Sequence, residues 1–166
     1  MPARSDAFSL IAIATLILGF DQLTKFALVL EIIPRQGHSR PDLVGGLIGL
    51  EYTENRGAAF GLFSGVTPVL ALASIAILGA LLLNYTRQRQ PPLWHTLAVG
   101  AISGGAVGNL LDRVRLGYVI DFVSIGLWPN FNIADSAITF GVGILICGWS
   151  RPVARWSGVR TIDQEG

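Results

Sequence analysis

The chain has 166 residues, the length of one domain, with 51% apolar and only 14% charged side chains. A water-soluble domain this small exposes most of its residues, so this composition would leave much apolar surface facing water. The mean hydropathy of +0.55 points instead to a lipid bilayer. A net charge of +1, with basic residues scattered in ones and twos, excludes a broad nucleic-acid face. Cys147 is the single cysteine, so there is no disulfide framework and no Cys/His metal spacing; it reads as a small packing residue. His38 and His95 are too far apart in unlike surroundings to suggest a paired metal role. No metal and no cofactor are expected.

Crossing hydrocarbon by helix takes about 20 mostly apolar residues. The first such window runs from Ala7 to Leu30. Its start, Arg4 followed by an apolar run from Phe8 to Phe20, resembles a secretory signal. However, no A-x-A-like cleavage site follows, and the run continues past Asp21 and Lys25 to Leu30 and Ile33. It is therefore read as a retained span. The segment Glu31 to Gly65 comes next, and within it Leu47 to Thr53 predicts a short strand with Gly-rich flanks. A small extracytoplasmic sheet is expected there.

A second span is predicted over Val66 to Tyr85, with Pro68 tolerated in its first turn. The basic connection Thr86 to Pro92 reads as a cytoplasmic turn. The third span, Leu93 to Leu111, carries Gly100, Gly104 and Gly108 at every fourth residue. One helix face without side chains lets a neighbouring helix approach closely, so packing is the expected role. A second outward segment, Asp112 to Phe131, precedes the fourth span at about Ile133 to Trp149. The expected fold is thus an all-α membrane protein, one polytopic domain over residues 1–166. It has four transmembrane helices and a small extracytoplasmic β element.

Even spans put both termini on one side. Arg4, Arg87, Arg89, Arg151, Arg155 and Arg160 would lie in the cytoplasm, and Arg35, Arg40, Arg56, Arg113 and Arg115 outside. Six against five is a slight inward bias, and both termini are expected to be cytoplasmic. In that layout nearly every ionisable residue near a span falls on the outer face. Asp21 and Lys25 end the first span; Asn55 and Arg56 lie in the outer loop. Asn109, Asp112 and Arg113 end the third span, Asp121 follows, and Asn132 and Asp135 begin the fourth. A buried acid costs about 2.5–3.5 kcal/mol at mid-bilayer and less near the interface. The pattern predicts a polar site at the outer boundary.

Each of these residues also has a plainer reading. Asp21 and Lys25 make a helix-supporting i, i+4 pair. Asp112 beside Arg113 and Arg115 could be a solvated charge cluster. Asn132 with Asp135 forms a near capping box. In one continuous helix, Asp121 and Asp135 would stand roughly 21 Å apart. Gly126 and Pro129 interrupt the segment, so the chain can turn and return Asp121 over the fourth span.

At these residues the chain resembles the bacterial lipoprotein signal peptidases, or signal peptidase II. The likeness rests on DQLTK (Asp21–Lys25), ENRGAAFGLF (Glu54–Phe63), GGAVGNLLDR (Gly104–Arg113), VIDFV (Val119–Val123) and FNIADSAIT (Phe131–Thr139). It implies that Asp121 and Asp135 are catalytic aspartates. Asn55, Asn109, Arg113 and Asn132 would line the substrate site; Arg113 could pair with Asp112 or hold substrate carbonyls, and a site-organising role is expected for it. Asp21, Lys25, Gly57, Gly104, Gly108 and Asp112 would be structural. It further implies a metal-free aspartyl endopeptidase of the bacterial inner membrane, active at its outer face. The substrate would be a lipidated prolipoprotein, cut before its diacylglyceryl-modified cysteine. Membrane lipids are the other expected partner; no nucleic acid and no obligatory protein partner are expected.

Two carboxylates in contact cannot both ionise readily, so they would share a proton. A rival reading is a small ion- or proton-coupled transporter, but such carriers place acids near mid-bilayer, often in repeated halves. A noncatalytic scaffold built on the glycine face would leave Asp121, Asn55 and Asn132 unexplained.

Overall fold

The computed structural model describes residues 2–31, 42–44, 47–57 and 67–149. Among these residues four helices carry the fold: α1 (Arg4–Glu31), α2 (Thr67–Arg87), α3 (Leu93–Leu116) and α4 (Ile133–Trp149). Helices α1, α3 and α4 cover the segments expected as spans, and α2 covers the remaining one apart from Val66, which lies outside the described residues. Among the described residues, α1 and α2 are long and apolar enough to cross a membrane. Helix α4 is apolar but shorter, at 17 residues. Their outer faces expose large apolar side chains, including Phe8, Leu16 and Phe26 on α1, Leu72 and Ile77 on α2, and Phe140 and Ile146 on α4. An apolar belt of this kind fits contact with lipid rather than water.

Helix α3 is the hub, packing against the other three helices. Its glycines explain how. A Cβ on Gly100 would meet the Ile13 side chain, and one on Gly104 would lie 2.5 Å from the Ala14 carbonyl oxygen. A Cβ on Gly108 would lie 2.7 Å from Asp21 Oδ2. The glycine stripe therefore seats α1 directly on α3. A fourth glycine of α3, Gly105, stands on another face, where a Cβ would collide with the Ala134 carbonyl oxygen of α4. Helix α3 enters after Pro92 and ends at Gly117, whose φ of 81° lets its backbone N–H donate a hydrogen bond to the Arg113 carbonyl and close the C-terminus.

At the α1, α3 and α4 ends nearest Asp21, Asp112 and Asp135 lies an antiparallel sheet of four strands in chain order. These are β1 (Asp42–Val44), β2 (Ile48–Asn55), β3 (Val119–Ile125) and β4 (Trp128–Phe131). The strand expected over Leu47–Thr53 is present as β2, but the sheet is larger than the sequence suggested. The second outward segment continues α3 to Leu116 and then forms the β3–β4 hairpin. That hairpin turns at Gly126, where φ is 51°, a conformation glycine adopts at little cost. Pro129 lies inside β4, an edge strand, where the missing amide is tolerated. The turn that returns the chain towards α4 is therefore a tight hairpin at Gly126.

Candidate active site

Strand β3 is central in the sheet, and Val119, Ile120, Asp121 and Phe122 are all buried. Asp121 sits directly across from Thr53 of β2, and Asn55 stands opposite Val119. Strand side chains alternate faces, so Asn55 and Asp121 are diagonal neighbours on one face. Asn55 Nδ2 donates to Asp121 Oδ2 at 2.9 Å. Asp135 arrives from another element, the first turn of α4. The capping arrangement read from the sequence is reciprocal. The Asp135 amide donates to Asn132 Oδ1 at 2.9 Å, and the Asn132 amide to Asp135 Oδ2 at 3.3 Å.

Capping does not exhaust the role of Asn132. This fully buried side chain also donates through Nδ2 to Asp121 Oδ1 at 2.8 Å. One residue thus bridges the two aspartates. Asn109 of α3 completes the bridge: its Nδ2 donates to Asp135 Oδ1 at 2.7 Å, and its Oδ1 accepts from Asn132 Nδ2 at 3.1 Å. Burial is the main cause that pushes the Asp121 carboxyl up to about 7, and the neighbouring Asp135 charge adds to the rise. The Asn55 and Asn132 hydrogen bonds and the Lys25 charge oppose it.

Both aspartates open onto a cleft of about 590 Å³. Its wall includes Asn55, Arg56 and Gly57 from the end of β2, Arg113 from α3, Leu70 from α2, and Trp128 to Phe131 of β4. Arg113 Nη1 donates to the Asn109 carbonyl at 3.3 Å. At the rim, Arg56 pairs with Glu54 at 2.7 Å and lies over the Tyr118 ring, holding the Glu54 carboxyl below its usual range. Asn130 Nδ2 reaches Thr53 Oγ1 at 2.6 Å, tying β4 to β2 across the cleft floor.

Asp21, Lys25 and Asp112 lie together in the bundle behind this site and are almost wholly buried. Lys25 Nζ is 2.8 Å from Asp21 Oδ2 and 2.8 Å from Asp112 Oδ2. The solvated-cluster reading of Asp112 is therefore corrected: α3 turns it inward, where it is buried against Lys25. Sequence reasoning missed Gln22, whose Nε2 joins Asp21 and Asp112 at 3.1 and 3.0 Å. Its place inside DQLTK was the available signal. Gly105 was also missed, because it falls outside the every-fourth-residue stripe. His38, the Ala58–Phe63 part of ENRGAAFGLF and the basic tail after Ser150 lie outside the described residues.

A family model described as Signal peptidase (SPase) II matches residues 13–150. The chain belongs to the signal peptidase II family. Its relatives include the lipoprotein signal peptidase of Syntrophomonas wolfei, 41% identical over 131 residues, 79% of this chain and 85% of that one. That of Moorella thermoacetica is 42% identical over 139 residues, 81% of this chain and 87% of the other. Among solved structures, a bacterial membrane enzyme determined by the in meso method at 2.3 Å is 32% identical with a TM-score of 0.76. The match covers 84% of this chain and 86% of that one. A second such structure, at 1.9 Å, has a TM-score of 0.75 and covers 86% and 92%. Membership makes the protein a peptidase that processes lipoprotein precursors and is embedded in a membrane.

Proposed function

We propose that this signal peptidase II uses Asp121 and Asp135 as a catalytic dyad to cut lipidated prolipoproteins just before the diacylglyceryl-modified cysteine. The observation that carries the reading is that Asn132 donates to both carboxylates, through its side chain to Asp121 and through its backbone amide to Asp135, while both aspartates line one open cleft. Two carboxyls held this way share one proton, which belongs to the pair rather than to either residue. The ionised member removes a proton from water as its oxygen attacks the scissile carbonyl carbon. The protonated member donates to the carbonyl oxygen. Collapse of the tetrahedral intermediate breaks the C–N bond, the departing amine takes a proton, and the dyad is restored. Asn55 and Asn132 orient the carboxyls without adding charge. Arg113, which lines the cleft beside them, suits a substrate carbonyl.

Four membrane spans, with both termini in the cytoplasm and the dyad at the outer boundary of the inner membrane, complete the reading. It is supported by the apolar exposed faces of α1, α2 and α4, and by the site lying at one end of the bundle beside the sheet. A lipidated substrate keeps its acyl chains in the bilayer and its scissile bond near the headgroups, so it reaches such a site by lateral diffusion. The experiment is cleavage of a lipidated precursor peptide beside its unlipidated twin by the purified protein. Only the lipidated peptide should be cut, and the Asp121→Asn and Asp135→Asn variants should leave it intact. Full activity in either variant would remove the mechanism.

A further inference from the structure

The buried Lys25 group touches both halves of the site through backbone as well as side chain. Asp112 Oδ2, paired with Lys25, also accepts the amide of Ile120 at 3.3 Å, the residue just before Asp121. Asp21, paired with the same ammonium, accepts through Oδ1 the amide of Ala134 at 3.0 Å, the residue just before Asp135. Lys25 gives its remaining N–H to Asn109 Oδ1 at 3.2 Å. An ammonium only donates, so the Asn109 amide must turn its Nδ2 towards Asp135, where it bonds at 2.7 Å. The three donors of one buried nitrogen thus go to Asp112, which holds the strand bearing Asp121, to Asp21, which holds the helix bearing Asp135, and to the Asn109 amide between them.

We propose that Lys25, held between Asp21 and Asp112, is a positioning residue for catalysis that sets the separation and orientation of the two aspartates. This rests on the two-aspartate reading above and goes beyond a bundle-stabilising role for the ion group. Its chemistry is specific. Arginine keeps the charge, but its planar fork cannot bring one nitrogen to three converging acceptors. Asparagine at 112 keeps an acceptor for the Ile120 amide but loses the ion pair. Misplacement of reacting groups by about 1 Å costs on the order of 100-fold in rate.

The test compares Lys25→Arg, Lys25→Met and Asp112→Asn with the unaltered protein and with Asp121→Asn, on a lipidated precursor peptide in detergent. Thermal melting of each purified variant reports folding. Folded Lys25→Arg should lose kcat by roughly 10- to 100-fold with KM nearly unchanged, because substrate contacts are intact while the dyad is displaced. Asp112→Asn should lose less. The charged groups around the pair are Lys25 and Asp21 on α1, Asp112 and Arg113 on α3, and Glu54 and Arg56 at the end of β2. Loss of the Lys25 charge removes an attraction for ionised Asp121, so the alkaline limb of kcat in Lys25→Met should move to higher pH. If Lys25→Met does not fold, Lys25→Arg and Asp112→Asn carry the test through kcat and KM. Wild-type kcat in both, or an effect confined to KM, overturns the inference. Activity in Asp121→Asn would instead overturn the two-aspartate reading, so the two failures are distinguishable.

Discussion

At the scale of single residues, the raised Asp121 carboxyl makes the sharpest predictions. Its proton is held up to about pH 7 by burial and by Asp135. Activity that needs a shared proton should therefore fall as pH rises through that region, read as the alkaline limb of kcat against pH. Asn55→Ala removes a hydrogen bond that favours the ionised form, so this limb should move to higher pH. The linkage for stability has a definite sign. A carboxyl raised in the folded state binds its proton more tightly there, so folded-state stability drops as pH climbs from about 4 towards 7. Asp121→Asn does not titrate and should lose less stability over that window, measured by melting temperature against pH. Retention of activity in chelator is expected throughout.

Much of this residue-level picture was legible beforehand. Asn132 and Asp135 stand three apart before an apolar run, and their capping geometry follows from that spacing alone. The second job of Asn132, bridging to Asp121, was not legible, because it depends on where β3 comes to rest. Asp112 misled for the same reason. Beside two arginines in sequence it looks solvated, yet a helix places neighbouring residues about 100° apart and turns Asp112 inward to Lys25.

At the scale of elements, the glycines of α3 decide how closely helices meet. Gly105→Ala should lower the melting temperature, at a cost of about 1–3 kcal/mol, since its Cβ would strike α4 backbone that cannot yield as a side chain can. Gly108→Ala would press on Asp21 Oδ2 and should reduce activity as well as stability. Gly79→Ala is the control. It lies mid-helix in α2 with nothing within 4 Å, and should be neutral or slightly stabilising. The stripe of every-fourth glycines announced a packing face in the sequence. Which helix sits on it was settled only by the side chains of α1 that fill the space. The β3–β4 hairpin was harder still, because its strands are short and mix buried, polar and proline positions without clean alternation.

At the scale of the whole molecule, the helices and sheet divide the labour. Helices α1, α3 and α4 supply the buried ion group, Asn109 and Asp135, while β2 and β3 supply Asn55 and Asp121. Reporter fusions at both termini should give cytoplasmic signals, and a fusion after Val44 an outer one; the reverse would refute the orientation. Composition alone pointed to a bilayer, because so few charges leave apolar surface facing water in a domain this small. Local spacing determined the helices, the cap at Asn132 and the polar end of the bundle, since each depends on neighbours within a few residues. Only the tertiary structure decided that Asn132 bridges Asp121 and Asp135, and that Asp112 and Asp21, both paired with Lys25, hold the segments carrying them. Those contacts join residues up to 113 positions apart, and such closure depends on how strands register and helices seat, which no local pattern encodes.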